Sequence, residues 1–294
     1  MTLMSRVVVA GDVIDDVIAV LQKPFRINTD TPAQIKRTLG GSAANTAVWL
    51  AHEGLPVDFF GQVGVADIAR CEQDFREAGV TPHLSGDPGR ETGSLVIVSH
   101  GEDRSMLSDR GANVGWDPRS ISDAVLEGAA WLHLTGYGFF HHRDPASMKI
   151  LISRARKKGL GVMVDASSTG FLADVGPNAF LEWISEATLL RCNEEEALAL
   201  SAKDTLPLAL TALATLFPQV VITRGSAGSL VWDSGGAHQI PAIKVSGLRD
   251  PTGAGDAFNA GVLRGLMAGS TLREAAEWAA GLAAQCVIRL GARP

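Results

Sequence analysis

Residues 250–261 read Asp-Pro-Thr-Gly-Ala-Gly-Asp-Ala-Phe-Asn-Ala-Gly, a small-residue stretch between a turn dipeptide and a run of good helix formers. Beyond the glycines, Phe258, Val262 and Leu266 recur at i, i+4 and i+8, which predicts the buried face of a helix. The stretch 253–255 therefore lies at the helix N-terminus, where several backbone N–H groups have no intrahelical partner. Small side chains leave these donors open and the helix dipole adds a positive potential, so the stretch predicts an anion site.

Asp256 places a carboxylate in the first turn of this helix, beside the predicted anion site. A carboxylate repels a bound anion, so its presence there calls for a reason. One reason is to accept the proton of a hydroxyl that attacks phosphorus. The other is that an acid in a first turn simply complements the helix dipole, and the short motif alone leaves both open.

Composition indicates a large globular domain and argues against several function classes. Of 294 residues, 46% are apolar and 20% charged, and the net charge is −6 with no run of basic residues, which argues against a nucleic-acid groove. The three cysteines are far apart, which is typical of a reducing compartment. The first twenty residues read as a strand and turn rather than a signal peptide, and no apolar run is long enough to span a bilayer. We expect a cytoplasmic protein without nucleic-acid or membrane partners.

The order of predicted elements favours the α/β class. From residue 131 onward, strands alternate with helices, as in a parallel sheet with crossover helices. Residues 17–39 suit extended chain, and residues 92–99 and 104–108 alternate around a Gly101-Glu102-Asp103 turn, which predicts a hairpin. The candidate strands of the large sheet are 7–10, 57–60, 131–134, 160–164, 188–191 and 219–223.

A second glycine motif, Gly40-Gly41-Ser42-Ala43-Ala44-Asn45, precedes an alanine-rich helix. Paired glycines allow the backbone to approach a ligand closely, and Asn45 in a first turn suggests a side chain held for hydrogen bonding. The acids Asp12, Asp15 and Asp16 follow the first strand, at the sheet edge where ligands bind in open α/β folds. A solvated turn is the alternative interpretation for Asp12 and Asp15.

Together the two glycine motifs resemble those of the PfkB (ribokinase-like) carbohydrate kinases, and the resemblance spans almost the whole chain. It implies a ribokinase-like three-layer α/β sandwich with a mostly parallel central sheet. Residues 1–294 would form one domain, with a small β-sheet lid made by about 17–39 and 91–112. It also implies an ATP-dependent phosphotransferase that uses ATP and Mg²⁺ to phosphorylate a primary hydroxyl of a sugar or nucleoside.

The resemblance also implies roles for particular residues. Asp256 would be the general base. Asn193 and Glu196, an NxxE motif, would organise water around Mg²⁺. Backbone carbonyls near Asp250 and Thr252, and near the closing Gly-Ala, would hold K⁺. The anion hole would comprise Gly253, Ala254 and Gly255, the acceptor site Asp16, Gly40, Gly41 and Asn45, with Asp12 as a further candidate, and the ATP phosphate contacts Thr223, Gly225 and Gly228.

Several alternatives stay open at this point. Ribokinases proper usually carry a lysine where this chain has Ser42-Ala43, so a ketose, a deoxy-acid sugar, adenosine or pseudouridine is an alternative to ribose. Phe25 and Tyr137 are candidates for stacking on a base, and Arg104 and Asn113 for contacting the acceptor. A non-catalytic sugar or nucleotide sensor on the same fold is the alternative function, and dimerisation through the lid is a feature of some family members.

Overall fold

The structure, a computed structural model, describes residues 5–100, 103–140, 142 and 144–294, and the side chains of residues 103 and 104 also lie outside the description. The strands are β1 Arg6–Ala10, β2 Ile14–Leu21, β3 Ala33–Gly40, β4 Val57–Gly64, β5 Thr81–Asp87, β6 Gly93–His100, β7 Asp103–Asp109, β8 Ala129–Thr135, β9 Gly161–Asp165, β10 Leu189–Asn193, β11 Gln219–Thr223, β12 Ser229–Asp233 and β13 Gly236–Ile240. The helices are α1 Ser42–His52, α2 Ile68–Glu77, α3 Asp123–Leu126, α4 Tyr137–Phe140, α5 Pro145–Lys157, α6 Thr169–Val175, α7 Pro177–Trp183, α8 Glu194–Ser201, α9 Leu206–Ala214, α10 Ala254–Met267 and α11 Leu272–Val287.

The large sheet has the strand order β13-β12-β11-β10-β9-β8-β1-β4-β5. Pairing is parallel from β5 through β11, and the last two strands are antiparallel. The predicted α/β class with a mostly parallel sheet is confirmed. Because the parallel strands end at one edge, the loops that follow them all reach the same side of the sheet.

Helices cover both faces of this sheet. Along β1, the side chains of Val7 and Val9 belong to one buried cluster with residues of α1, α10 and α11. Val8 and Ala10 point to the other face and belong to a second cluster with residues of α5 to α9. This alternation buries both faces of the strand and gives the three layers.

A smaller, separate sheet has the order β3-β2-β6-β7. Its central pair, β2 with β6, is parallel, and the two outer pairs are antiparallel. We call this sheet the lid. The expected lid ranges, about 17–39 and 91–112, contain β3, β6 and β7, whereas β2 begins at Ile14, before the first range. The hairpin of β6 and β7 is present, although turn residues 101 and 102 lie outside the described residues.

The two faces of the lid differ in burial. Asp16, Ile18 and Ile97 lie on its inner face and are buried. On the opposite face, Val17 pairs with Val96 and Val96 with Leu107, and Leu107 is 66% exposed. The outer face therefore has an apolar centre, bordered by Arg37 beside Val17, and is open in the single chain.

Strand β5 is not predicted from the sequence, because Pro82 and the surrounding polar residues disfavour a strand. In the structure it is the edge strand beside β4, where only one side of the strand is hydrogen-bonded, so a proline is tolerated. The sequence predicts a last helix over residues 271–290, and in the structure that helix spans Leu272–Val287.

Over the described residues, no single helix has the length and apolar character to cross a bilayer. Helices α8 and α9 pass that test only as a pair, and they are bent by 61°.

Candidate active site

The first turns of α1 and α10 meet at the carboxyl edge of the large sheet. Ser42 Oγ donates a hydrogen bond to Asp256 Oδ1 at 2.7 Å, and Asn45 Nδ2 donates to Asp256 Oδ2 at 3.0 Å. Thr46 Oγ1 lies 3.4 Å from the main-chain oxygen of Asp256. Both oxygens of the predicted base are thus held by residues of the second glycine motif.

The environment of Asp256 raises its pKa to about 7. Burial is the main cause, and the negative charges of Asp165 and Asp12 add to it, whereas the hydrogen bonds from Ser42 and Asn45 act in the opposite direction. A carboxyl group with this pKa is present in both protonation states at neutral pH, which suits a group that accepts and returns a proton.

The N-terminus of α10 offers open donors next to Asp256. The amide of Ala254 donates to the Pro251 carbonyl, and that of Ala257 donates to the Gly253 carbonyl. Within the described part of the chain, the amides of Gly253, Gly255 and Asp256 have no hydrogen-bond partner, whereas that of the predicted anion-hole residue Ala254 is used. Open N–H groups at the positive end of a 14-residue helix could bind an anion, as the sequence predicts.

Close packing explains the two glycines of this loop. Gly253 has φ +80°, and a Cβ there would lie 2.5 Å from Cα of Ala292. A Cβ at Gly255 would lie 2.9 Å from Nη2 of Arg191. The loop is therefore packed between residues 291–293, which we call the closing segment, and the buried guanidinium of Arg191.

Arg191 is a candidate site residue that no local sequence motif indicates. Its guanidinium pairs with Asp165 at 3.0 Å and donates to Thr223 Oγ1 at 2.9 Å. Its side chain is 9% exposed, and its Nε has no hydrogen-bond partner among the described residues. It places a positive charge between Gly255 and the predicted ATP contact Thr223.

Asp16, the predicted acceptor-binding acid, is a buried carboxylate with one oxygen available. It is 5% exposed, and its Oδ1 has no hydrogen-bond partner in the described chain. Burial and the charge of Asp12 raise its pKa to about 7, and Arg293 opposes them. A side chain at Gly40 would overlap Asp16 Oδ2, so the glycine makes room for the carboxylate.

Asp12 has a different position. Its carboxylate accepts the amides of Ser42 at 3.3 Å and Ala43 at 3.2 Å, at the N-terminus of α1. Arg110 Nη2 lies 3.3 Å from the same group. A Cβ at Gly41 would overlap the Asp12 carbonyl. Asp12 and Gly41 therefore hold α1 in place, whereas Asp16 presents an unused oxygen.

Asn193 and Glu196 form a reciprocal cap at the start of α8. The Asn193 amide donates to Glu196 Oε2, and the Glu196 amide donates to Asn193 Oδ1, both at 2.8 Å. Glu196 is 1% exposed, and burial raises its pKa, with a further contribution from Asp165. The pair has a structural role, and it lies beside the Arg191–Asp165 network.

No group of three metal-ligating side chains occurs in the portion of the chain that is described. Mg²⁺ keeps several waters and often binds through one or two carboxylates and the phosphates of a substrate, so a single pair such as Asn193 and Glu196 fits this ion.

The remaining predicted residues lie in two turns. Gly225 faces open space, whereas a side chain at Gly228 would overlap the Ile240 carbonyl, so only Gly225 is open to a ligand. Asp250 Oδ1 accepts the amide of Thr252 at 2.9 Å and its hydroxyl at 2.6 Å. Asp250 Oδ2 accepts the Gly291 amide at 3.1 Å, which ties this loop to the closing segment.

Three further candidates for substrate contacts stay predictions, and their surroundings differ. The Asn113 amide group donates to the Val13 and Arg110 carbonyls and is used inside the protein. Phe25 is 70% exposed. The Tyr137 ring packs against the Arg110 guanidinium at 4.8 Å. The side chain of Arg104 lies outside the described residues.

Three comparisons describe what the chain is similar to. Residues 4–294 match the model "pfkB family carbohydrate kinase". The chain is 28% identical to the ATP-dependent ribose-1-phosphate kinase of Halopiger xanaduensis, over 99% of this chain and 94% of the relative. The crystal structure of adenosine kinase from Sinorhizobium meliloti superimposes with a TM-score of 0.90 at 25% identity, covering 99% and 96% of the two chains. A ribokinase II from E. coli, in complex with ATP and Mg²⁺, gives a TM-score of 0.86 at 20% identity, covering 98% and 94%, which shows the fold alone.

Proposed function

Because the chain belongs to the pfkB family of carbohydrate kinases, we propose that it transfers the γ-phosphoryl group of ATP to a primary hydroxyl of a sugar or nucleoside. The main support is the position of Asp256, a buried carboxyl group with a raised pKa directly beside two unpaired amides. A base and an anion site in contact are what phosphoryl transfer to an alcohol requires.

Asp256 accepts the proton of the acceptor hydroxyl as the oxygen attacks the γ-phosphorus. The new P–O bond forms while the bond to the β-phosphate oxygen breaks, and ADP leaves. The amides of Gly255 and Asp256 donate to the transferring group. Ser42 and Asn45 hold both carboxylate oxygens, so the base is oriented before the acceptor binds.

Asp16 binds the acceptor in this proposal. Its Oδ1 accepts a hydroxyl hydrogen, which supplies the partner that the buried oxygen lacks among the described residues. Asn45 contributes through Asp256. Asp12, Gly40 and Gly41 act indirectly, because they position α1 and make room for the Asp16 carboxylate.

The nucleotide side comprises Arg191, Thr223 and Gly225, and Asn193 with Glu196 would hold the water shell of Mg²⁺. When bound, Mg²⁺ neutralises charge on the phosphates. We also propose K⁺ near Asp250 and Thr252, because Asp250 joins this loop to the closing segment. Replacing K⁺ by Na⁺ at constant ionic strength tests the K⁺ requirement.

The acceptor is a sugar or a nucleoside, and the two named relatives represent both classes. A coupled ADP-release assay over ribose, fructose, a deoxy-acid sugar, ribose 1-phosphate, adenosine and pseudouridine tests the proposal, with Asp256→Asn as the blank. ADP formation that depends on one acceptor and on Asp256 supports it. Binding of an acceptor without turnover supports a sensor instead.

A further inference from the structure

Arg293 contacts the acceptor machinery from outside both glycine motifs. Its Nε donates to Asn45 Oδ1 at 3.2 Å, and its Nη1 lies 2.5 Å from Asp74 Oδ2. The guanidinium also packs over the Phe75 ring at 5.8 Å, and its side chain is 16% exposed. Arg293 therefore connects α2 to the first turn of α1.

The direction of these hydrogen bonds matters for Asp256. A guanidinium can only donate, so the atom of Asn45 that faces Arg293 is the amide oxygen. The amide NH₂ is then left to donate to Asp256 Oδ2, as the 3.0 Å contact requires. If the amide were reversed, its oxygen would face the carboxylate and its NH₂ would face the arginine, and both contacts would be lost.

The backbone beside Arg293 is fixed at two points. The Ala292 carbonyl accepts a hydrogen bond from Trp49 Nε1 at 2.8 Å, and Trp49 is fully buried in α1. The Gly291 amide donates to Asp250 Oδ2 at 3.1 Å. A side chain held on such a backbone can orient a partner with little loss of entropy.

We propose that Arg293 is a positioning residue of the acceptor site, which fixes the Asn45 amide so that it holds Asp256 ready to accept the proton. The inference rests on the proposed kinase function. Arg293 touches neither substrate in this view, and it acts through Asn45.

A double-mutant cycle tests the proposal, with kcat and both KM values measured for wild type, Arg293→Met, Asn45→Ala and the double variant. When Asn45 is intact, we expect Arg293→Met to lower kcat about tenfold, equivalent to about 1.4 kcal/mol. The KM for ATP should stay within about twofold of wild type. In the Asn45→Ala background, the same change should cost less than about twofold, because its target is gone.

Arg293→Lys keeps the charge and a donor, so it should recover part of the lost kcat. Arg289→Met is the matched control, since Arg289 is an exposed arginine nearby, and its kcat should stay at the wild-type value. Asp74→Asn removes only the outer ion pair and should also retain kcat. Tm is measured for every variant. If Arg293→Met is too unstable to assay, Arg293→Lys in the two Asn45 backgrounds provides the cycle.

Wild-type kcat in Arg293→Met overturns the inference. An equal loss in both Asn45 backgrounds also overturns it, because Arg293 would then act independently of Asn45. A full loss in Asp74→Asn does the same, because it would place the effect in the contact with α2. In each of these cases, turnover by the wild-type protein would leave the proposed kinase function intact. If the wild-type protein phosphorylates no acceptor, the proposed function fails, and this inference fails with it.

Discussion

Ser42 Oγ lies 2.7 Å from Asp256 Oδ1, although the two residues are 214 positions apart in the chain. The contact joins the first turn of α1 to the first turn of α10, so the helix that follows the acceptor motif also controls the predicted base. Hydrogen bonds to an ionised carboxylate contribute more than neutral ones, about 1.5–3 kcal/mol each. The contact therefore ties the ionisation of Asp256 to the position of α1.

Asp256→Asn should lower kcat by roughly 10²–10⁴, the usual contribution of a general base. The amide keeps the size of the side chain, so the fold should remain, as measured by Tm. Binding of ATP, measured by calorimetry, should persist because the unpaired amides of α10 are unchanged. Turnover near the wild-type value would remove Asp256 from the mechanism.

The pH profile of kcat/KM should have an acidic limb near pH 7. Burial raises the pKa of Asp256 to about 7, and only the ionised form accepts a proton, so activity rises with pH to about 7 and then levels. Well below that pH, each unit should cost about tenfold. Asp16 also has a pKa of about 7, so the profile of Asp16→Asn is the control that separates the two groups. A profile flat from pH 5 to 8 would contradict the assignment.

Ser42→Ala should move that acidic limb to higher pH. The lost hydroxyl stabilises the ionised carboxylate, so its removal raises the pKa of Asp256 further. At pH 6.5, kcat/KM should fall by about tenfold, which corresponds to about 1.4 kcal/mol, and the loss should shrink as the pH is raised. An equal loss at all pH values would indicate a role unrelated to ionisation.

Gly40→Ala should weaken acceptor binding selectively. The added methyl group overlaps Asp16 Oδ2 and must displace the carboxylate. We expect the KM for the acceptor to rise about tenfold or more, with little change in the KM for ATP. Gly281→Ala, at a helical position with ordinary contact distances, is the matched control and should leave both constants unchanged. Equal increases in both KM values would place Gly40 outside the acceptor site.

The apolar outer face of the lid should be covered by the lid of a second copy. Leu107→Asp puts a charge on this face, at a position that is 66% exposed in the single chain. Light scattering should give twice the chain mass of 30.9 kDa for the wild type and the single mass for the variant. Leu208→Asp, at an exposed position of α9, should remain dimeric. A monomeric wild type would rule out this assembly.

The helices and strands that the sequence predicts correctly are those indicated by local patterns. The helix start at Gly253, the helix after Gly41 and the parallel strands all depend on residues close together in the chain, where periodicity and turn chemistry act. The same local information predicts a role for Asp256. It does not predict how α1 and α10 are placed relative to each other. The sequence therefore shows only that Ser42-Ala43 replaces the usual lysine, and the hydrogen bond from Ser42 to Asp256 could not be predicted.

The other differences also have long-range causes. Asp12 and Asp16 look alike in the sequence, and only packing reveals that Asp12 receives the amides of α1 whereas Asp16 keeps an unused oxygen. Arg191 and Arg293 carry no local motif. The large sheet brings Arg191 next to Gly255, and the closing segment brings Arg293 next to Asn45.

The parallel pairing of β2 with β6 has a consequence for engineering. Parallel neighbours cannot be joined by a tight turn, and here α1, β4, α2 and β5 of the large domain intervene between the hairpin of β2 and β3 and strand β6. No contiguous fragment of the gene therefore encodes the lid alone. Transplanting it onto another enzyme would take two separate cassettes in matched register, and each would have to carry its own junction with the host.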